Sequence, residues 1–167
     1  PKTGRYYEID WRESDLAACI ADDFDGDGLA VVEAYFANVA KVAEKKPTIL
    51  GHFDLIKKIN GDGKFFDEHA PRYKAAADAA LMAAARNRCV LEINTSAVFR
   101  GFRQDFFPSQ EILKDWLALS GNVVITGDAH DARALTFGFE EAAAQLKALG
   151  YTKVQVLGKD GFRTCAL

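Results

Sequence analysis

Cys89–His130 reads "CVLEINTSAVFRGFRQDFFPSQEILKDWLALSGNVVITGDAH". It opens on "CVLEINT", a run rich in β-branched residues that suits a strand. It closes on "NVVITGDAH", a second such run. Between them "PSQEILKDWLALSG" opens on Pro108 and Ser109 and stops on Gly121, the punctuation of a helix. Strand, helix and strand in this order make one βαβ unit, the building block of a parallel sheet.

The alternation extends in both directions. Upstream, "KKPTILGHFD" reads as a short buried strand after Pro47, and "GDGKFF" is turn material. "DEHAPRYKAAADAALMAAARNR" follows as an Ala-rich helix, with Asp67 or Glu68 near its start and Arg86 and Arg88 near its end, as the helix dipole prefers. Downstream, "FGFEEAAAQLKALG" is a helix stopped by Gly150, and "YTKVQVL" is a last strand. "GRYYEID" is a candidate short strand near the start, followed by a polar helix or loop. The 167 residues suit one domain with one core. A complete (β/α)8 barrel takes about 250 residues, so the repeated units form either an open doubly wound sheet or part of a barrel.

"DDFDGDGLAVVEAYF", Asp22–Phe36, imitates a calcium loop with Asp23, Asp25, Asp27 and Gly28. An EF-hand needs a bidentate Glu at position twelve, which is Ala34 here. Glu33 is one residue early, about 100° away on a helix. The run therefore reads as a turn, with Asp27 or Gly28 starting a helix that continues to about Lys45.

Composition narrows the function classes. The chain is 49% hydrophobic and 27% charged, as globular proteins are, and its net charge of -3 advertises no nucleic-acid surface. No apolar run approaches the roughly 20 residues of a membrane span, and no signal peptide is expected at "PKTGRYYEID". Cys19, Cys89 and Cys165 are odd in number and lack CxxC spacing, which reads as reduced thiols in a cytoplasmic protein.

In parallel α/β folds, function collects at the C-terminal ends of strands. Three strands end in polar groups here. "TILGHFD" supplies His52 and Asp54, "CVLEINTS" supplies Glu92, Asn94 and Thr95, and "VVITGDAH" supplies Asp128 and His130. Two imidazoles and several carboxylates suit a divalent transition metal such as Zn, Mn or Fe. Glu92 sits mid-strand and needs a partner, a metal or an Arg, because burying it unpaired is costly. Asn94 serves equally well as a residue that satisfies loop backbone, and His69 reads as a surface or capping residue. Arg100 and Arg103 lie among Phe99, Phe102, Phe106 and Phe107, and Lys57 and Lys58 lie just past His52. These cations suit phosphate oxygens, and the aromatics suit a pocket wall or simple packing.

The segments "FDGDGLAVVEAYFANV", "ILGHFDLIKKIN", "LEINTSAVFRGFRQDFFPS", "VVITGDAHDARAL" and "GFEEAAAQLKALGY" together resemble the histidinol-phosphatase branch of the polymerase-and-histidinol-phosphatase (PHP) family. They stand in the family's order and cover nearly the whole chain. The resemblance implies a distorted TIM-like (β/α)7 barrel with up to three divalent metals, which hydrolyses a small phosphate monoester. L-histidinol phosphate, an intermediate of histidine biosynthesis, is the substrate it implies first. On that pattern His52, Asp128 and His130 match metal ligands, with Asp128 and His130 also placed in the catalytic set and Asp128 able to take or give a proton. Lys58, Arg100 and Arg103 match phosphate contacts, and Asp54, Glu92 and Asn94 stand behind them. The family's N-terminal H-x-H strand and early Glu have no counterpart in residues 1–167. The chain is therefore expected to be the C-terminal part of one PHP-type domain, its missing ligands supplied by an N-terminal part or another chain. A phosphoesterase for another ester and a non-catalytic phosphate-binding fragment are the alternative expectations. Neither nucleic acid nor membrane is an expected partner.

Overall fold

A computed structural model describes residues 2–167. The chain begins with an extended segment and α1 (Glu13–Asp23), followed by α2 (Gly28–Glu44) and the very short β1 (Ile49–Leu50). Next come α3 (Pro71–Arg86), β2 (Val90–Asn94), the single turn α4 (Ser96–Phe99), α5 (Gln110–Ala118) and β3 (Asn122–Thr126). α6 (Phe139–Leu149), β4 (Lys153–Gly158) and β5 (Gly161–Ala166) complete it. The strands form one sheet in the order β1-β2-β3-β4-β5. The first four are parallel and β5 returns antiparallel to β4. The sheet curls into a half-barrel with β1 and β5 as its edges. This curled sheet is compatible with part of a barrel, and the described residues do not close it.

Alternation along the strands separates two faces. Leu91 and Ile93 are buried in the core with Leu81, Leu113, Trp116 and Leu146 from the helices. The register aligns Glu92, Val124, Gln155 and Thr164 across the opposite face. That row is mostly polar, and Gln155 Nε2 donates to Thr164 Oγ1 (3.0 Å) and to Asn122 Oδ1 (3.3 Å).

Helix boundaries follow local chemistry. Asp27 caps α2, its Oδ1 accepting from the N–H groups of Leu29 and Ala30, while Oδ2 accepts from Arg72. Asp25 pairs with Lys2, and Asp23 accepts from the Thr3 N–H. The apparent calcium loop is thus a helix cap whose acids are already engaged. A Cβ on Gly28 would stand 2.0 Å from the Phe65 carbonyl oxygen, so this glycine is required by close packing. Ser109 caps α5, as its position predicted.

Three expectations need correction. "GRYYEID" is not a strand: its residues are tied to carboxylates of α1, as where Tyr7 Oη donates to Asp22, and not to a ladder. α3 begins at Pro71 rather than Asp67, because Asp67 instead accepts from the His69 N–H in the preceding turn. The strand "YTKVQVL" is not the last, since β5 follows it through a hairpin. Cys19 and Cys89 are buried free thiols and Cys165 is a half-buried one. Among the described residues no helix is long and apolar enough to cross a membrane.

Candidate functional site

The parallel ends of β1, β2 and β3 reach one rim, and a cleft of about 240 Å³ opens there. His52 arrives two residues past β1, Asn94 ends β2, Ser96 opens α4 and Asp128 lies two residues past β3. Arg100, at the end of α4, and His130 complete one side, while Lys58, Asp10 and Trp11 form the other. Six of the residues expected from sequence therefore meet: His52, Lys58, Asn94, Arg100, Asp128 and His130.

Asp128 is the centre of this group. Its Oδ2 lies 3.6 Å from His52 Nε2, and its Oδ1 lies 3.5 Å from His130 Nε2. Ser96 Oγ lies 3.3 Å from Oδ2. Burial, the largest influence on Asp128, favours the protonated acid. Asn94, the His52 imidazole and the Ser96 hydroxyl outweigh it and hold the carboxyl below the usual range. The imidazoles remain open to solvent, with side chains 49% exposed at His52 and 72% at His130. His52 and Asp128 both adopt left-handed backbone conformations, with φ of 53° and 42°. Such angles cost an L-residue energy and persist where surrounding contacts enforce them.

Glu92 supplies much of that enforcement. Its Oε2 accepts from the His52 backbone N–H at 2.9 Å, and its Oε1 accepts from Thr126 Oγ1 at 2.6 Å. One carboxylate thereby ties the ends of β1, β2 and β3 together. The partner expected for Glu92 was a metal or an Arg. The actual partners are a backbone N–H and a hydroxyl. From the other side, Tyr35 Oη donates to the His52 carbonyl.

Two of the expected cationic contacts are differently placed. Lys58 lines the cleft with its side chain only 9% exposed, 3.5 Å from Asp10 and 4.9 Å from the centre of the Phe102 ring. Arg103 is outside the cleft. Gly101, with φ of 72°, turns the chain between the two arginines. Arg103 then bonds both oxygens of Glu68 at 3.1 Å, Asp105 at 3.1 Å and the Lys57 carbonyl at 3.1 Å. Lys57 is buried between Asp54 (3.1 Å) and Asp105 (2.7 Å). Burial alone would favour neutral Lys57, but those two acids keep it protonated. Asp54, fully buried, accepts from the Ser109 N–H at 2.9 Å and serves this structural network rather than the cleft. His69 is exposed beside Glu111 and lies away from the rim. Phe106 and Phe107 are buried, and Phe99 packs on Phe137 with ring centres 5.2 Å apart.

Sequence reasoning missed Asp10, Trp11 and Ser96. Asp10 and Trp11 carry no motif, and only the path of the N-terminal segment brings them to the cleft. Ser96 was signalled by its place immediately after a strand that ends in Asn94 and Thr95.

His52 and His130 address opposite oxygens of Asp128, so the three side chains do not close around one point. Among the described residues no group of three or more His, Cys, Asp or Glu side chains is arranged to hold a metal ion. Two imidazoles and one carboxylate equal in number the three protein ligands of a catalytic zinc site, but here they are not arranged around one point. The three-metal centre implied by the resemblance is not supplied by these residues alone. No protein-family model matches the chain, and no curated protein matches it.

Proposed function

We propose that this cleft binds the phosphate group of a small phosphate monoester, and that the chain is the substrate-binding part of a PHP-like phosphomonoester hydrolase. L-histidinol phosphate is the first substrate to test, on the strength of the ordered resemblance. The observation that carries the reading is the meeting of His52, Asp128, His130, Arg100 and Lys58 at one strand-end rim. Among the described residues Arg100 has a single hydrogen bond, 3.4 Å to the Asp128 carbonyl, and no carboxylate partner. Its remaining guanidinium donors suit phosphate oxygens.

The division of labour follows from the geometry. Arg100 holds the phosphate, with Lys58 adding positive charge from beneath. Asp128 orients both imidazoles. His130 is the more accessible of the two imidazoles for proton transfer to the leaving oxygen. Ligands from outside residues 1–167 would be needed to complete a three-metal centre.

A second reading, a phosphate-binding module without catalysis, is favoured by that incomplete ligand set. Three measurements separate the readings: metal content of protein purified without chelator, turnover of a panel of phosphate esters, and calorimetric binding of inorganic phosphate. Turnover that is lost in His52→Ala and His130→Ala supports the hydrolase. Phosphate binding without metal or turnover supports the module. Absence of phosphate binding sinks both. Arg86→Ala, remote and exposed, serves as the control.

A further inference from the structure

Asn94 is 1% exposed, yet its Nδ2 has no hydrogen-bond partner among the described residues. The direction of the amide is not arbitrary. Oδ1 accepts from the Ser96 N–H at 2.9 Å and from Ser96 Oγ at 2.7 Å, and a backbone N–H can only donate. Flipping the amide would set a donor against a donor, so the NH2 group faces the other way. There it lies beside the Asp128 carboxylate, whose ionised form it favours, on a residue that lines the cleft. The backbone at Asn94 is equally fixed. Its N–H donates to the Phe107 carbonyl at 2.7 Å, and its carbonyl accepts from the Phe107 N–H at 3.2 Å.

A buried donor normally finds a partner, because leaving it unpaired costs more than most hydrogen bonds contribute. Here a rigid, unspent donor lines the same cleft as Arg100. We propose that Asn94 is a direct ligand contact, its Nδ2 donating to a non-bridging oxygen of the phosphate that Arg100 holds. This rests on the phosphate reading of the cleft and adds to it a specific neutral donor. Asn94 then acts on the ligand itself, beyond any support it gives to loop backbone. It also favours an acceptor oxygen over an ammonium or an alkyl group at that point.

The test uses inorganic phosphate as probe. In wild-type protein labelled with 15N, the Asn94 side-chain NH2 resonances should shift saturably on phosphate addition, together with Arg100 Nε–H. Calorimetry of Asn94→Ala should show phosphate affinity reduced about 10- to 100-fold, the loss of one hydrogen bond to a charged acceptor. The same loss should appear when Asn94→Ala is combined with Asp128→Asn, because a direct contact does not act through Asp128. A loss present only with Asp128 intact would make Asn94 a positioning residue and overturn the proposal. Saturable shifts at Arg100 with none at Asn94 would overturn it too, and that measurement needs no variant to fold. If wild-type protein binds no phosphate, the cleft's phosphate reading fails and this inference with it.

Discussion

Glu92→Ala should loosen the rim more than any other single change behind the cleft. The substitution removes the acceptor for the His52 N–H (2.9 Å) and for the Thr126 hydroxyl (2.6 Å). A buried hydrogen bond to a charged acceptor contributes about 1.5–3 kcal/mol, and Glu92 is only half-buried, so about 1 kcal/mol for each is reasonable. The sum, about 2 kcal/mol, corresponds to a melting temperature lower by about 4–8 °C in a domain of this size. Glu92→Gln should behave differently. Its carbonyl oxygen can still accept from the His52 N–H, and its NH2 can donate to Thr126 Oγ1 once that hydroxyl rotates. The expected loss is about 0.5 kcal/mol, or about 1–2 °C. The assay is thermal unfolding followed by circular dichroism, with phosphate affinity measured in parallel. Phosphate affinity should fall further in Glu92→Ala than in Glu92→Gln, because only the alanine variant frees the left-handed turn at His52. Equal melting temperatures for the two variants would refute the claim that Glu92 works by joining three strand ends.

Lys57→Met should destabilise the fold by about 3–5 kcal/mol in urea titration, because it strips its cation from the buried Asp54, whose carboxyl burial already pushes up and which must then take a proton or stay unpaired. Adding Asp54→Asn should recover a large part of that loss. Asp128, despite the upward push of burial, has its carboxyl held low by Asn94, His52 and Ser96. A depressed carboxyl contributes stability above the ordinary carboxylate range and loses it as pH falls through the folded-state value. The stability difference between wild type and Asp128→Asn should therefore be flat from about pH 7 to 5 and close below about pH 4, as measured by melting temperature against pH. At His52, where φ is 53°, Gly should be more stable than Ala by about 1 kcal/mol, seen as a melting temperature about 2–4 °C higher. An Ala variant equal to the Gly variant would mean that this backbone carries no strain.

The βαβ pattern was legible because each strand–helix pair announces itself twice, by an apolar run and by a cap or stop. Asp27, Ser109 and Gly150 each stand where a helix begins or ends. β5 was not legible because "GFRTCA" lies at the sheet edge with mainly exposed positions, so selection on burial left no alternation to read. "GRYYEID" misled for the opposite reason. Its aromatics mimic a strand, but Tyr7 bonds Asp22 at the acidic end of α1 instead of a ladder partner. At the site, strand-end logic correctly brought His52, Asn94 and Asp128 together, because parallel register makes their convergence unavoidable. It did not distinguish Arg100 from Arg103, which look equivalent three residues apart. The difference lies in Gly101, whose positive φ sends the second arginine to Glu68 and Asp105.

That divergence separates two polar systems that adjoin in space and differ in how fully their groups are used. Around Lys57, each cation meets two acids: Lys57 meets Asp54 and Asp105, and Arg103 meets Glu68 and Asp105. Such a network pairs its cations entirely within the fold, and its role is to pin the loops after β1 and β2 against each other. Around Asp128 the balance is reversed. Two exposed imidazoles share one carboxylate, Arg100 spends one donor on a carbonyl, and Asn94 Nδ2 spends none among the described residues. Pinned loops are what allow these groups to remain unspent, since a mobile Arg100 or Asn94 would find partners in its own backbone or in water. The first network therefore supplies rigidity, and the second leaves donors at the rim without protein partners among the described residues. On the proposed phosphate reading, an oxyanion with several acceptor oxygens would match those donors better than a carboxylate, because it could satisfy the guanidinium and the amide at once.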